Sequence, residues 1–333
     1  MTHPTRAASA RRTLLPAIAV GLAIPALALA GCSSAAPATE DDGLLHIVAS
    51  TNVYADIAAT IGGDLVTTQA IIADSAADPH SYEATTRDQL AVADADLLIL
   101  NGGGYDPFME TLIEASGATA PVITAVDVSG LLDDDQATEA DDHSAETAAP
   151  DAHEGHDHVE GFNEHVWYDF AAMEQLAEEI AHELGTLDPA GADTFDSNAA
   201  TFVTALEGLQ ARQDSFAAAH AGLSALVTEP VPLYLLEGMG FVNVTPDAFT
   251  EAVEEGSEIS VSVLDEVLQL IGGGTVAILG YNDQTTSPET ERVLAAAETA
   301  AVPVVGFAET LPSGEDYVSW MTANIDAVEA TVR

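Results

Sequence analysis

The 333-residue chain contains no lysine, and its seven basic residues, all arginine, stand against 55 acidic ones for a formal net charge of −48. A chain this acidic repels phosphate backbones instead of neutralising them, which excludes nucleic acid as a partner. Adsorption to an anionic membrane surface through a basic patch is excluded on the same ground. A cationic ligand is not. A solvated coat of surface acids would give the same composition, so charge alone names no function. Cysteine is nearly absent as well. Cys32 stands alone, which rules out an intramolecular disulfide, a cysteine-rich zinc site and an iron–sulfur cluster. What the chain does have is 47% hydrophobic residues, over a length sufficient for two ordinary domains with cores of their own.

A membrane-spanning helix needs roughly 20 unbroken apolar residues. The apolar stretch from Leu14 to Ala30 is interrupted by Pro16 and Pro25. Arg6, Arg11 and Arg12 precede it, residues 1–31 hold no acidic residue, and the run closes on Leu29-Ala30-Gly31 before Cys32. This is the pattern of a secretion signal. Its end resembles a bacterial lipobox, which implies cleavage before Cys32, lipidation of its thiol, and anchoring on the extracytoplasmic face of the cell membrane. Arg11-Arg12-Thr13-Leu14-Leu15 is also similar to a twin-arginine signal, which leaves the export route open. Residues 32–43, small, polar and proline-interrupted, read as a flexible tether.

From residue 44 onward, short apolar runs alternate with turn residues and helical stretches. LLHIVAS at 44–50, TTQAII at 67–72, DLLILNGG at 96–103 and PVITAVD at 121–127 form one set. SALVTEP at 224–230, GFVNVTPD at 240–247, TVAILGYND at 275–283 and PVVGFAET at 303–310 form the other. Strands alternating with helices predict an α/β fold with mainly parallel sheets, in two βα lobes at 44–187 and 223–333. Between them Phe195, Ala199, Phe202, Leu206, Leu209 and Phe216 recur at helical spacing, predicting one long amphipathic helix within 188–222. Asp188-Pro189 supplies a plausible start and Gly222 a stop. Periodicity alone leaves open whether this helix serves one lobe or spans both. Residues 132–160, acidic and histidine-bearing without apolar periodicity, read as a mobile loop in the first lobe.

Ligands of open α/β sheets gather beyond the carboxyl ends of the strands. At those places stand His80, in Asp78-Pro79-His80-Ser81-Tyr82-Glu83, and His165, in Asn163-Glu164-His165-Val166-Trp167-Tyr168. In the second lobe Glu229 follows SALVT and Glu309 follows PVVGFA. Two imidazoles and two carboxylates suit Zn²⁺ or Mn²⁺, since they combine borderline nitrogen donors with hard, charge-neutralising oxygens. Singly, each histidine also fits a surface or capping role, and each glutamate a helix N-terminal acid. His46, His182 and His220 are read as structural.

These motifs resemble one known family, the metal-receptor (solute-binding) lipoproteins of zinc- and manganese-type ABC transporters. The resemblance runs through nearly all of the mature chain. His80-Ser81-Tyr82-Glu83-Ala84-Thr85 matches the family's first histidine segment, and His165-Val166-Trp167-Tyr168-Asp169 its second. Glu229, five residues before Tyr234, holds the spacing of a third ligand that is histidine in zinc forms and glutamate in manganese forms. The fourth, usually aspartate, falls on Glu309, with Glu258 and Asp283 as alternatives. The resemblance implies two lobes joined by one rigid long helix, a divalent metal bound in the cleft, and delivery to a membrane permease by a monomeric, non-enzymatic receptor. Zinc receptors of this kind often carry an acidic histidine-rich loop, and His143, His153, His156 and His158 lie at that place as auxiliary metal-binding residues. The carboxylates lean toward manganese and the loop toward zinc; with the Irving–Williams order added, zinc is favoured. Two rivals remain. A secreted metal-dependent hydrolase needs an open metal position and a separate base, and no HExxH helix occurs. An acidic adhesion or scaffold lipoprotein would make the paired motifs accidental.

Overall fold

The computed structural model describes residues 43–73, 79–132 and 161–332. The leader, Cys32, nearly all of the tether, and His143, His153, His156 and His158 lie outside the described residues. Each of the eight apolar runs contributes one strand. β1 (Leu45–Thr51), β2 (Val66–Ile72), β3 (Leu97–Leu100) and β4 (Val122–Thr124) form a parallel sheet in the order β2-β1-β3-β4. β5 (Ser224–Val227), β6 (Val242–Asn243), β7 (Val276–Asn282) and β8 (Val304–Phe307) repeat that order as β6-β5-β7-β8, also parallel. Both lobes therefore turn the carboxyl ends of their strands into loops that carry polar residues.

Burial on both faces explains why the inner strands β1, β3, β5 and β7 are nearly continuous apolar runs. Along β1, Ile47 and Ala49 enter the main core while Val48 enters a separate cluster with Leu98, Leu100, Phe108 and Leu112, as a two-residue period requires. In the second lobe Ala225 and Val227 face the main core and Leu226 faces the opposite cluster. Helices cover these faces in chain order: α1 (Asn52–Gly62), α2 (Thr86–Ala93), α3 (Pro107–Ser116), α4 (Ala125–Val128) and α5 (Phe170–Leu187) in the first lobe. α7 (Leu233–Gly238), α8 (Asp247–Glu254), α9 (Val261–Gly272) and α10 (Pro288–Ala300) do so in the second.

The long helix, α6 (Ala192–His220), has 29 residues, about 44 Å at 1.5 Å per residue. It starts three residues later than the Asp188-Pro189 signal places it, with Gly191 in place of Asp188 at the cap. Asp188 instead caps the end of α5, its amide bonded to Leu184 O, and its carboxylate accepts from Ala190 N in the turn between the helices. The apolar stripe is buried throughout and belongs to a core cluster that draws on both lobes. Near its start Asn198 donates to Ile61 O at the end of α1. Near its end Gln213 donates to Leu235 O of α7, and Phe216 stacks on Phe241 at 5.8 Å. The helix thus ties both lobes, the alternative that periodicity left open.

The last helix, α11 (Tyr317–Thr331), returns to the first lobe. Tyr317 donates from its amide to Asp56 and from its hydroxyl to Trp167 O at 2.6 Å. Arg212 of α6 holds α11 through Asp326 and Glu329. No helix among the described residues is long and apolar enough to cross a membrane.

Candidate metal centre

Each histidine motif couples a ligand-type side chain to a helix cap. Beyond β2, His80 is followed by Thr85, whose hydroxyl accepts from Asp88 N at the start of α2 while the Asp88 carboxylate accepts from Thr85 N, a reciprocal cap. Tyr82 bonds Asp88 and rests on the Phe108 ring at 4.9 Å, anchoring the turn. His165 precedes a short 3₁₀ turn, Val166–Tyr168, and Asp169 then caps α5 by accepting from Ala172 N. Trp167 and Tyr168, inside that turn, are buried. The spacing of histidine, tryptophan and acid therefore puts a ligand-type imidazole, a core anchor and a cap on one turn. His165 belongs to the loop that opens α5, not to the turn directly after β4.

Both imidazoles are buried among aromatic rings. His80 meets Tyr105 at 5.0 Å, His165 meets Tyr105 at 5.7 Å and Trp167 at 5.1 Å, and the two imidazoles lie 6.3 Å apart. Asn163 Oδ1 lies 2.8 Å from His165 Nδ1 and accepts from the His165 amide. With Asn163 Oδ1 as acceptor, that contact places a ring proton on Nδ1 and turns Nε2 toward the acidic cluster, 3.7 Å from Glu254 Oε1. Asn163 also reaches the second lobe, donating to Pro230 O and accepting from the Tyr234 hydroxyl at its carbonyl.

The second lobe brings its carboxylates from β5 and β8. Asn282, the last residue of β7, donates from Nδ2 to Glu309 at 2.7 Å and to Glu229, and Thr285 donates to the other oxygen of Glu229. Gln284 accepts from the Glu309 amide, and Ala308 O accepts from Tyr168 of the first lobe. One amide nitrogen therefore holds two buried carboxylates side by side, which costs repulsion unless positive charge is nearby.

Ligand-type atoms of His80, His165 and Glu309 all fall within 4.8 Å of one another. Glu229 is buried beside them, 3% exposed, with its carboxylate turned to Asn282 and Thr285. Glu258 and Asp283 are both exposed and stand outside the cluster. Two further acids belong to the cluster and no sequence signal marked them. Ligand-type atoms of Glu164 and Glu254 lie within 4.8 Å of each other and of His80. Glu164 is 2% exposed and sits where the left-handed Gly103 (φ 67°) lets the loop after β3 approach, since a Cβ there would meet Glu164 at 3.3 Å. Glu254 Oε1 is 3.7 Å from His165 Nε2. Burial, then the charges of Glu164, Glu229 and Glu309, push the Glu254 carboxyl up to about 10. No basic side chain offsets this: among the described arginines Arg87 and Arg292 are exposed, and Arg212 is paired with Asp326 and Glu329. A divalent cation answers the charge, the donor set and the burial together.

Comparison with known proteins places this geometry in context. Residues 47–331 match the family described as ZnuA, zinc-uptake complex component A, periplasmic. The zinc-binding lipoprotein AdcA of Streptococcus pneumoniae is 25% identical over 321 residues, covering 92% of this chain and 59% of AdcA. The manganese-binding lipoprotein MntA of Halalkalibacterium halodurans is 28% identical over 186 residues, 56% of this chain and 54% of MntA. The chain thus spans between half and two thirds of the length of these relatives. The periplasmic zinc-binding protein TroA of Treponema pallidum superposes with a TM-score of 0.68 at 19% identity, covering 87% of this chain and all of TroA, and so shares its fold.

Proposed function

The chain belongs to the ZnuA family, and from that premise we propose that it captures a divalent transition metal outside the cytoplasm, zinc before manganese, and delivers it to an ABC permease. The observation that carries the reading is that ligand-type groups from both lobes gather in two sets sharing His80, with His165 and Glu309 in one and Glu164 and Glu254 in the other, and with no basic side chain beside them among the described residues. His80, His165, Glu229 and Glu309 are the proposed ligands. Capture follows from charge and donor geometry: the cation neutralises acids that repel one another, and His165 presents Nε2 because Asn163 holds its other nitrogen. Zinc stands first because it outranks manganese in the Irving–Williams order at nitrogen and oxygen sites.

The remaining assignments rest on the sequence. The signal comprises 1–31, and Cys32 carries the lipid that holds the monomeric receptor, through the tether 32–43, on the extracytoplasmic face of the membrane. The lobes are 44–187 and 223–333, with 188–222 between them. The histidines at 143, 153, 156 and 158 gather metal loosely as auxiliary binding residues. The receptor turns over no substrate. Calorimetry on the chelator-stripped chain tests the reading. Expected are about one tightly bound ion and loss of that binding in the double variant H80A/H165A, since the glutamates alone offer too few donors for a closed site. Unchanged affinity in the double variant refutes the ligand assignment, hydrolytic turnover would support the hydrolase, and no tight ion at all would support the scaffold.

A further inference from the structure

Glu254 lies where ordinary structure gives a carboxylate no support. It is the last residue of α8, at the negative end of the helix dipole, and Glu255 follows it. Phe249 and Val253, five residues and one residue earlier, are buried in the core of the second lobe and fix its direction. Among the described residues no donor hydrogen-bonds its Oε1, which is buried and faces His165 Nε2 at 3.7 Å. That nitrogen is on the opposite side of the ring from the one that contacts Asn163. Glu254 thus approaches the cluster from α8, independently of the β5, β7 and β8 loops that carry the other carboxylates of this lobe.

We propose that Glu254 is an additional oxygen ligand of the bound cation, engaged by ions that accept more than four donors, and that it widens the site from zinc toward manganese. The inference rests on the metal-capture reading above. Zinc is satisfied by four donors in a tetrahedron, which His80, His165, Glu229 and Glu309 supply. Manganese is harder and takes more oxygen ligands, so a fifth carboxylate favours it selectively. A carboxylate within reach of both imidazoles, yet outside the tetrahedral set, has this chemistry. The unfavourable position at the helix end is then offset whenever a cation is present.

The test is the variant E254Q, which keeps size and removes charge, with E255Q as an exposed neighbour control. Dissociation constants for Mn²⁺ alone and Zn²⁺ alone are measured on the metal-stripped full chain, against one chelator at one pH. In E254Q manganese affinity should fall by about tenfold or more while zinc changes by less than about threefold, and X-ray absorption of the manganese-loaded variant should show one oxygen neighbour fewer. E255Q should change neither constant. An equal change for both metals, no change for either, or a wild-type chain that binds no manganese overturns the proposal. The single variant H165A separates failure of the underlying reading: if both metals still bind tightly there, the site itself is misplaced, whatever E254Q does.

Discussion

Replacing Asn163 by alanine should weaken metal binding although Asn163 touches no metal. Its Oδ1 accepts from the His165 amide at 3.1 Å and lies 2.8 Å from Nδ1, and its Nδ2 donates to Pro230 O across the cleft. Without the Nδ1 contact the imidazole is free to place its proton on either nitrogen and to turn, so only part of the population offers Nε2. Loss of such an orienting partner typically costs 10- to 100-fold in affinity, about 1.4 to 2.7 kcal/mol. The three lost side-chain bonds, at about 1 kcal/mol each, should also lower the melting midpoint of the metal-free chain, by roughly 5 to 10 °C. The variant Y234F separates the two effects. It removes only the hydroxyl bond to Asn163 O, so it should cost about 1 kcal/mol of stability and leave metal affinity within about threefold. Competition against a fixed chelator measures affinity, and thermal unfolding measures stability. If Y234F weakens binding as much as N163A, anchoring of the loop and not orientation of His165 sets affinity. If N163A binds metal normally, the argument from Nδ1 is wrong.

Asn282→Ala should weaken metal binding by roughly tenfold by releasing Glu229 and Glu309 from their shared donor; chelator competition with affinity unchanged would show that the metal positions them unaided. Glu229→His should raise the preference for zinc over manganese, since it exchanges a hard carboxylate for a softer imidazole, and competition above about pH 7, where the imidazole is neutral, reads the ratio. Asp106, fully buried, has its carboxyl raised from 3.8 to about 6, chiefly by desolvation. Between those values the folded state binds more protons than the unfolded one. Its stabilising contribution is therefore complete below 3.8 and is lost as pH rises through about 6, a change of about 3 kcal/mol. Urea unfolding of the metal-free chain at several pH values should show this slope, and D106N should flatten it.

The fold was legible because its signals are local. Strands buried on two faces must be apolar at nearly every position, as Leu97–Leu100 is, and such runs stand out between turns. The start of α6 was not. Asp188-Pro189 satisfies the local rules for a helix start, yet the Asp188 amide closes α5 while its side chain supports the turn. A capping residue can serve the helix before it as readily as the one after it. Only the packing of Phe195 beneath that turn, where Gly191 leaves no room for a Cβ beside its ring, decides between them.

The site divides on the same line. His80 and His165 were legible because each is tied within a few residues to a cap and an aromatic anchor, so imidazole and scaffold are written together. Glu229 and Glu309 follow strands, but their relation to each other runs through Asn282, 53 residues from one and 27 from the other. No local pattern encodes that. Glu254 is the extreme case. Nothing near it in sequence distinguishes it from Glu251, Glu255 or the exposed Glu258, all of which share its segment. What sets it apart is the direction in which Phe249 and Val253 bury α8, a property of the second lobe's core. That core commits the end of the helix to the cleft, and the carboxyl there, crowded by the charges of Glu164, Glu229 and Glu309, must then hold a proton or meet a cation.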